Sequence, residues 1–294
     1  MSDLILDLEP AISHPVLLAG FTGWCDAAEA SSRVIGFLRE TLQAGRIGSI
    51  RADDYYDLAS QRPRAVLVGG VLRSLHYPGT TLYAWHNPRD DGKDLILLEA
   101  AEPNLRWTAY VTAIMELVQR YDVEAVYSFG SMFDGVPHTR PPRVSIAASQ
   151  SGLLRSLAHL HLAQIHYEGP SSVHTALLQA CRGRRIPAAS FWGHVPAYAQ
   201  LGWNPRLTVA LLETVLAVLR LDLNLQELRD QANELDNLLS RLVASDADLQ
   251  QQVYTYELQY DKDAPPESLP NAESIVSEVE EFLRGSREDG EPEE

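Results

Sequence analysis

Through the first 221 residues, apolar runs of five to nine residues alternate with longer segments that repeat apolar side chains at helical spacing, and no other feature limits the fold as much. Expected strands are 4–8 (LILDL), 15–21 (PVLLAGF), 64–72 (RAVLVGGVL), 80–85 (TTLYAW), 94–100 (DLILLEA), 123–130 (VEAVYSFG), 143–149 (RVSIAAS) and 187–193 (PAASFWG). Expected helices are 24–44, 104–121, 171–183 and 204–221. A strand that is apolar at nearly every position has no face to show water. Such strands, interleaved with helices, predict an α/β fold in which a mostly parallel sheet carries helices on both faces. Asn104 and Ser171, each close behind a proline, are the expected caps of their helices.

Beyond residue 221 the pattern changes. Leu225, Leu228, Ala232, Leu235, Leu239 and Leu242 follow one another at intervals of three and four, a heptad seam on one helical face. Two further helices, 246–260 and 272–285, can cover it within the chain, although the same seam could join subunits. The expected organisation is an α/β domain (1–221), an acidic helical hairpin or small bundle (222–285) and a polar tail (286–294) too acidic to order itself.

Charge divides the chain at the same place. Residues 1–221 hold 20 acidic and 19 basic side chains, whereas residues 222–294 hold 20 and 5, which accounts for nearly all of the net charge of −16. An acidic carboxy-terminal region repels phosphate backbones and anionic membrane surfaces, so neither nucleic acid nor membrane is expected as a partner. Two cysteines without CxxC spacing and nine scattered histidines predict no disulfide scaffold, no metal site and no cofactor. The absence of a signal-like start and of a long apolar run leads to a cytoplasmic expectation.

Three stretches could carry chemistry. In LLAGFTGWCDAAEA (17–30) a strand passes through Gly20 and Gly23 into a helix, a junction that can bind phosphate; with no lysine present, capping by Thr22 or Asp26 explains it as well, and Gly23, Trp24 and Asp26 are the candidate residues. In LEAAEPNLRW (98–107), Glu102 at a strand end could act as a general base, or accept hydrogen bonds from a neighbouring loop, or pair with an arginine such as Arg140; Trp107 lies beside it. In DGVPHTRPP (134–142), Asp134 and His138 could form an acid–base pair with Arg140 as oxyanion stabiliser. Pro137, Pro141 and Pro142 argue instead for a rigid corner that holds His138, Thr139 and Arg140 extended, and no Ser or Cys nearby has a nucleophile context. The corner is the favoured reading, and no catalytic residue is assigned.

Seven blocks in order, FTGWCDA (21–27), YYDLASQRPR (55–64), EPNLRW (102–107), DGVPHTRPP, YEGPSSVHTAL (167–177), SFWGHVPAYA (190–199) and NPRLTVALLETV (204–215), resemble the proteasome assembly chaperone 2 family in its bacterial form. The resemblance implies a three-layer α/β/α fold similar to nucleoside phosphorylases and hydrolases, followed by a helical carboxy-terminal region. It also implies homo-oligomers, with trimers the expected form, and proteasome subunits as possible partners. Some relatives dock through a terminal hydrophobic-Tyr-any tripeptide; this chain ends Pro292-Glu293-Glu294, so a folded surface is the expected route. The first functional expectation is thus a non-enzymatic protein-binding module that assists a multi-subunit assembly. The second is an enzyme or small-ligand binder using a phosphorylase-like cleft for a nucleoside or related metabolite, with Glu102, Asp134, His138 and Arg140 around it.

Overall fold

The computed structural model describes residues 2–89, 91–200 and 202–263. The expected helix at 272–285 and the acidic tail lie outside them. In chain order the strands are β1 (Leu4–Leu6), β2 (Val16–Thr22), β3 (Gly45–Ile50), β4 (Arg64–Val68), β5 (Val71–His76), β6 (Thr80–Trp85), β7 (Leu95–Ala101), β8 (Ala125–Asp134), β9 (Val144–Ala148), β10 (Ala163–Gln164) and β11 (Ala188–Pro196). The helices are α1 (Ala30–Thr41), α2 (Trp107–Arg120), α3 (Ser151–Ser156), α4 (Val173–Arg184), α5 (Pro205–Leu219), α6 (Gln226–Ala244) and α7 (Ala247–Asp263).

Nine strands form one mixed sheet in the order β1-β3-β6-β7-β2-β8-β11-β9-β10. Its centre, β7-β2-β8-β11, is parallel throughout, and antiparallel pairings flank it on both sides. The apolar runs are explained by cover on both faces. Along β2, Val16 and Leu18 join one core cluster with Val34, Ile35 and Leu38 of α1 and Leu212 and Val215 of α5, while Leu17, Ala19 and Phe21 join the other with Tyr110 and Ile114 of α2 and Leu177 of α4. Each fully buried Leu or Val there contributes roughly 1.5–3 kcal/mol of transfer free energy. Gly20 lets α1 lie close to the sheet, since a Cβ there would meet Ile35 Cγ1 at 2.6 Å. Three layers, α/β/α, result.

The stretch 64–72, expected as one strand, is instead a hairpin. Gly69 and Gly70 both adopt positive φ, 61° and 78°, and two consecutive residues of that kind make the tight reversal that matches strand twist. β4 and β5 pair with each other as a separate two-stranded sheet. Strand β3 escaped the reading because GRIGSI is rich in glycine and polar residues; its place is decided by pairing with β1 and β6.

The expected caps also differ. Helix α2 begins at Trp107 behind Arg106 in the left-handed region, and the Asn104 side chain accepts the Asp57 N–H at 3.1 Å instead. Helix α4 begins at Val173 without a cap from Ser171. Helix α5 has a side-chain cap, Asn204 Oδ1 accepting the Leu207 N–H at 3.0 Å with Pro205 in the first turn. Beyond it, Leu225 and Leu228 of the heptad seam enter the α1/α5 core cluster, Ala232 and Leu239 are buried, and Leu242 is exposed. The first half of the seam is therefore used within the chain, against α5.

Candidate functional site

The carboxyl ends of the parallel strands β7, β2, β8 and β11 lie on one side of the molecule, where open α/β sheets place their ligands. A cleft of about 850 Å³ opens there. The nine candidate residues do not converge on it. Gly23, Trp24 and Asp26 line it, Asp134 reaches its wall through a histidine, and the others lie elsewhere.

Gly23 (φ 125°) turns the chain out of β2 in a conformation that L side chains rarely adopt. Asp26 is spent on the fold: its Oδ1 accepts the N–H of Ser31 at 2.9 Å and of Ser32 at 3.1 Å, capping the first turn of α1, and takes the Ser31 hydroxyl as well. Glu102 is buried against α4, where its Oε1 accepts the Val173 N–H at 2.9 Å; burial pushes its carboxyl above the usual range. It does not pair with Arg140. Trp107 donates from its indole to the Pro103 carbonyl at 2.6 Å, at the start of α2.

His138, Thr139 and Arg140 form a clamp on the carboxy-terminal helices. The Tyr198 hydroxyl accepts the His138 N–H and contacts His138 Nδ1, both at 2.7 Å, and Nε2 reaches Ser240 of α6 at 3.2 Å. Arg140 holds Asp261 of α7 with two nitrogens, at 2.8 and 2.9 Å, Thr139 donates to Glu257, and Tyr260 donates to the Pro141 carbonyl. Arg206 of α5 donates to the carbonyls of His138 and Arg140. Desolvation lowers the His138 pKa. The segment is a braced corner rather than an acid–base pair, since Asp134 turns the other way.

Asp134 Oδ2 accepts from His194 Nδ1 at 2.7 Å, and His194 Nε2 lies 2.8 Å from the Ser145 hydroxyl. The histidine bond holds the Asp134 carboxyl below its ordinary range. The carboxylate takes the Nδ1 side of the ring and orients it, with Nε2 turned to the Ser145 hydroxyl. These three residues, from β8, β11 and β9, orient an imidazole in the cleft wall. Ser145 sits inside β9, paired with Trp192 of β11 and Ala163 of β10, not on the exposed strand-to-helix turn of a nucleophile elbow. Deeper in, His174 is fully buried between the ring edges of Phe21 and Trp192, with centroids 5.1 and 5.2 Å away, and neither ring nitrogen has a partner; the Ser172 and Ser190 hydroxyls are likewise unpaired.

Ser145, His174, Ser190 and His194 were missed in the sequence. Two of the seven blocks, YEGPSSVHTAL and SFWGHVPAYA, contain three of them, but spacing alone does not show that β9, α4 and β11 bring them to one cavity. Among the described residues, no group of three His, Cys, Asp or Glu side chains is gathered as for a metal ion, and no helix is long and apolar enough to cross a membrane.

The model of the PAC2 family matches residues 20–243. A PAC2 family protein from Streptomyces avermitilis is 31% identical, with a TM-score of 0.74 over 82% of this chain and 99% of its own. A Mycobacterium tuberculosis proteasome-assembly chaperone homologue is 33% identical, with a TM-score of 0.74 over 81% of this chain and 99% of its own. The archaeal proteasome activator PbaB from Pyrococcus furiosus, 16% identical with a TM-score of 0.66 over 82% of this chain and 99% of its own, shares the fold. No curated protein matches the chain.

Proposed function

The chain belongs to the PAC2 family, and on that premise we propose that it is a non-enzymatic protein-binding module which forms homo-oligomers and assists a multi-subunit assembly in the cytoplasm, with proteasome subunits as the clients. The resemblance to a mycobacterial proteasome-assembly chaperone homologue supports the choice of client.

The observation that carries the reading is the β4–β5 hairpin. Leu67, Val68, Val71 and Leu72 at its tip are 55–61% exposed, and Leu75 and Tyr77 continue the patch. An apolar patch of this kind on a soluble chain marks a surface that another protein covers. Residues 61–80 also carry three arginines and no acidic side chain, whereas α6 and α7 carry eight acidic side chains against three basic ones. Those helices show exposed apolar pairs four residues apart, Leu238 with Leu242 and Tyr254 with Leu258. A basic apolar arm and an acidic apolar helix pair on the same chain suit a head-to-tail contact between copies, which closes into a ring when the rotation permits.

Sedimentation velocity tests the reading with the wild-type chain, Leu67→Asp/Leu72→Asp and Arg64→Glu/Arg73→Glu. The wild type is expected to sediment as an oligomer and both variants as monomers. A monomeric wild type, or oligomers unaffected by either pair, would overturn it. Retention of proteasome subunits on immobilised wild type but not on the hairpin variants tests the client.

A further inference from the structure

We propose that the cleft above the carboxyl ends of β2, β8 and β11 binds a small uncharged heteroaromatic molecule, gripped by the His174 ring and by the Ser172 and Ser190 hydroxyls. This site is separate from the hairpin arm and stands whether or not the protein-binding role does.

Buried polar groups normally find partners, and an exception calls for an explanation. Among the described residues, four of the seven buried side-chain nitrogen and oxygen atoms that lack a partner belong to Ser172, His174 and Ser190, and all three residues line this one cleft. Their relative exposures are 2%, 0% and 0%, so they form the buried backing of the cleft wall, and a guest reaches them by parting the side chains in front. The volume of about 850 Å³ lies within the range of small-molecule pockets.

The chemistry of the ligand follows from the floor. His174 is held neutral, its pKa pushed down to about 3 by burial, so one ring nitrogen donates and the other accepts. Two hydroxyls add sites of either kind. No charged side chain is left free at this depth: Asp26 is consumed by the first turn of α1, and Arg143 at the margin lies over the Tyr260 ring and 3.8 Å from Asp263. An ion would lose its hydration without a counter-charge, whereas a neutral ring carrying both a donor and an acceptor matches the floor. Trp192 beside His174 and the exposed rings of Trp24 and Tyr167 supply aromatic walls for a planar guest.

Saturation-transfer NMR on the full chain tests the proposal with adenine, uracil and nicotinamide as neutral probes, benzoate and inorganic phosphate as charged ones, and cyclohexanol as a non-aromatic one. At least one neutral heteroaromatic probe is expected to bind. Its affinity should fall about tenfold in Ser190→Ala, the loss of one hydrogen bond, and disappear in His174→Phe. Thermal melts check that both variants fold, and Ser190→Ala alone suffices if His174→Phe does not. Failure of all three neutral probes, unchanged affinity in Ser190→Ala, or a preference for benzoate, phosphate or cyclohexanol would overturn the proposal.

Discussion

The Glu102 carboxylate accepts the backbone N–H of Val173 at 2.9 Å, tying the end of β7 to the first turn of α4. A residue at a strand end, which could have been a general base, is instead an N-terminal cap supplied from 71 positions away. Glu102→Ala should therefore cost about 1–2 kcal/mol in urea unfolding. Glu102→Gln keeps an acceptor at the same place and removes a poorly solvated charge, so it should stay within about 0.5 kcal/mol of the wild type. Equal losses in the two variants would show that the charge, not the acceptor, matters.

His174 makes a pH prediction. Its folded pKa, about 3, lies below the ordinary 6.5, so the unfolded chain takes up the proton first. Stability is lost as pH falls below 6.5 and continues to fall towards 3, by about 1.4 kcal/mol per unit from this one group. His174→Phe should reduce the slope of unfolding free energy against pH by about one proton in that window. At neutral pH the same variant should be as stable as the wild type or more so by roughly 1 kcal/mol, because it removes an unpaired buried polar ring. Urea titrations across the window read both effects.

Tyr198→Phe removes the hydroxyl that serves both the N–H and the ring of His138. A buried donor left unpaired costs about 1–3 kcal/mol, and the corner it braces also holds α6 and α7. Faster amide exchange in α7 is expected together with unchanged exchange in β2. Unchanged exchange in α7 would show that its docking does not depend on the corner.

The hairpin arm predicts a concentration effect. Because assembly stabilises by mass action, the wild-type Tm should rise with protein concentration. Replacing residues 66–74 by a short Gly-Ser link should leave a folded domain whose Tm no longer depends on concentration, since β4 and β5 lie outside the nine-stranded sheet. A wild-type Tm independent of concentration would count against assembly through this arm.

Helix and strand periodicity located most elements, among them β6 at its observed bounds and α5 within two residues of its expected end. Where it failed, a local rule had been overruled. At Gly69-Gly70 a run of apolar residues was broken by two positive φ angles, and at Asn104 and Ser171 good capping residues did not cap because the chain turned later and the Glu102 carboxylate, just past β7, took one of the helix starts.

The sequence by itself determined the layered α/β architecture, the acidic helices that follow it, and the stiffness of DGVPHTRPP, because burial on two faces and proline's locked φ are properties that a short stretch carries with it. Only the tertiary structure decided which polar groups meet. Asp134 found His194, His194 found Ser145, Arg140 found Asp261, and His174 was left unpaired behind a cleft wall, since each partner arrives from a strand or helix tens of residues away. Hydrogen bonds are satisfied by whatever the packed core brings within 3 Å, and that distance is set by the fold as a whole.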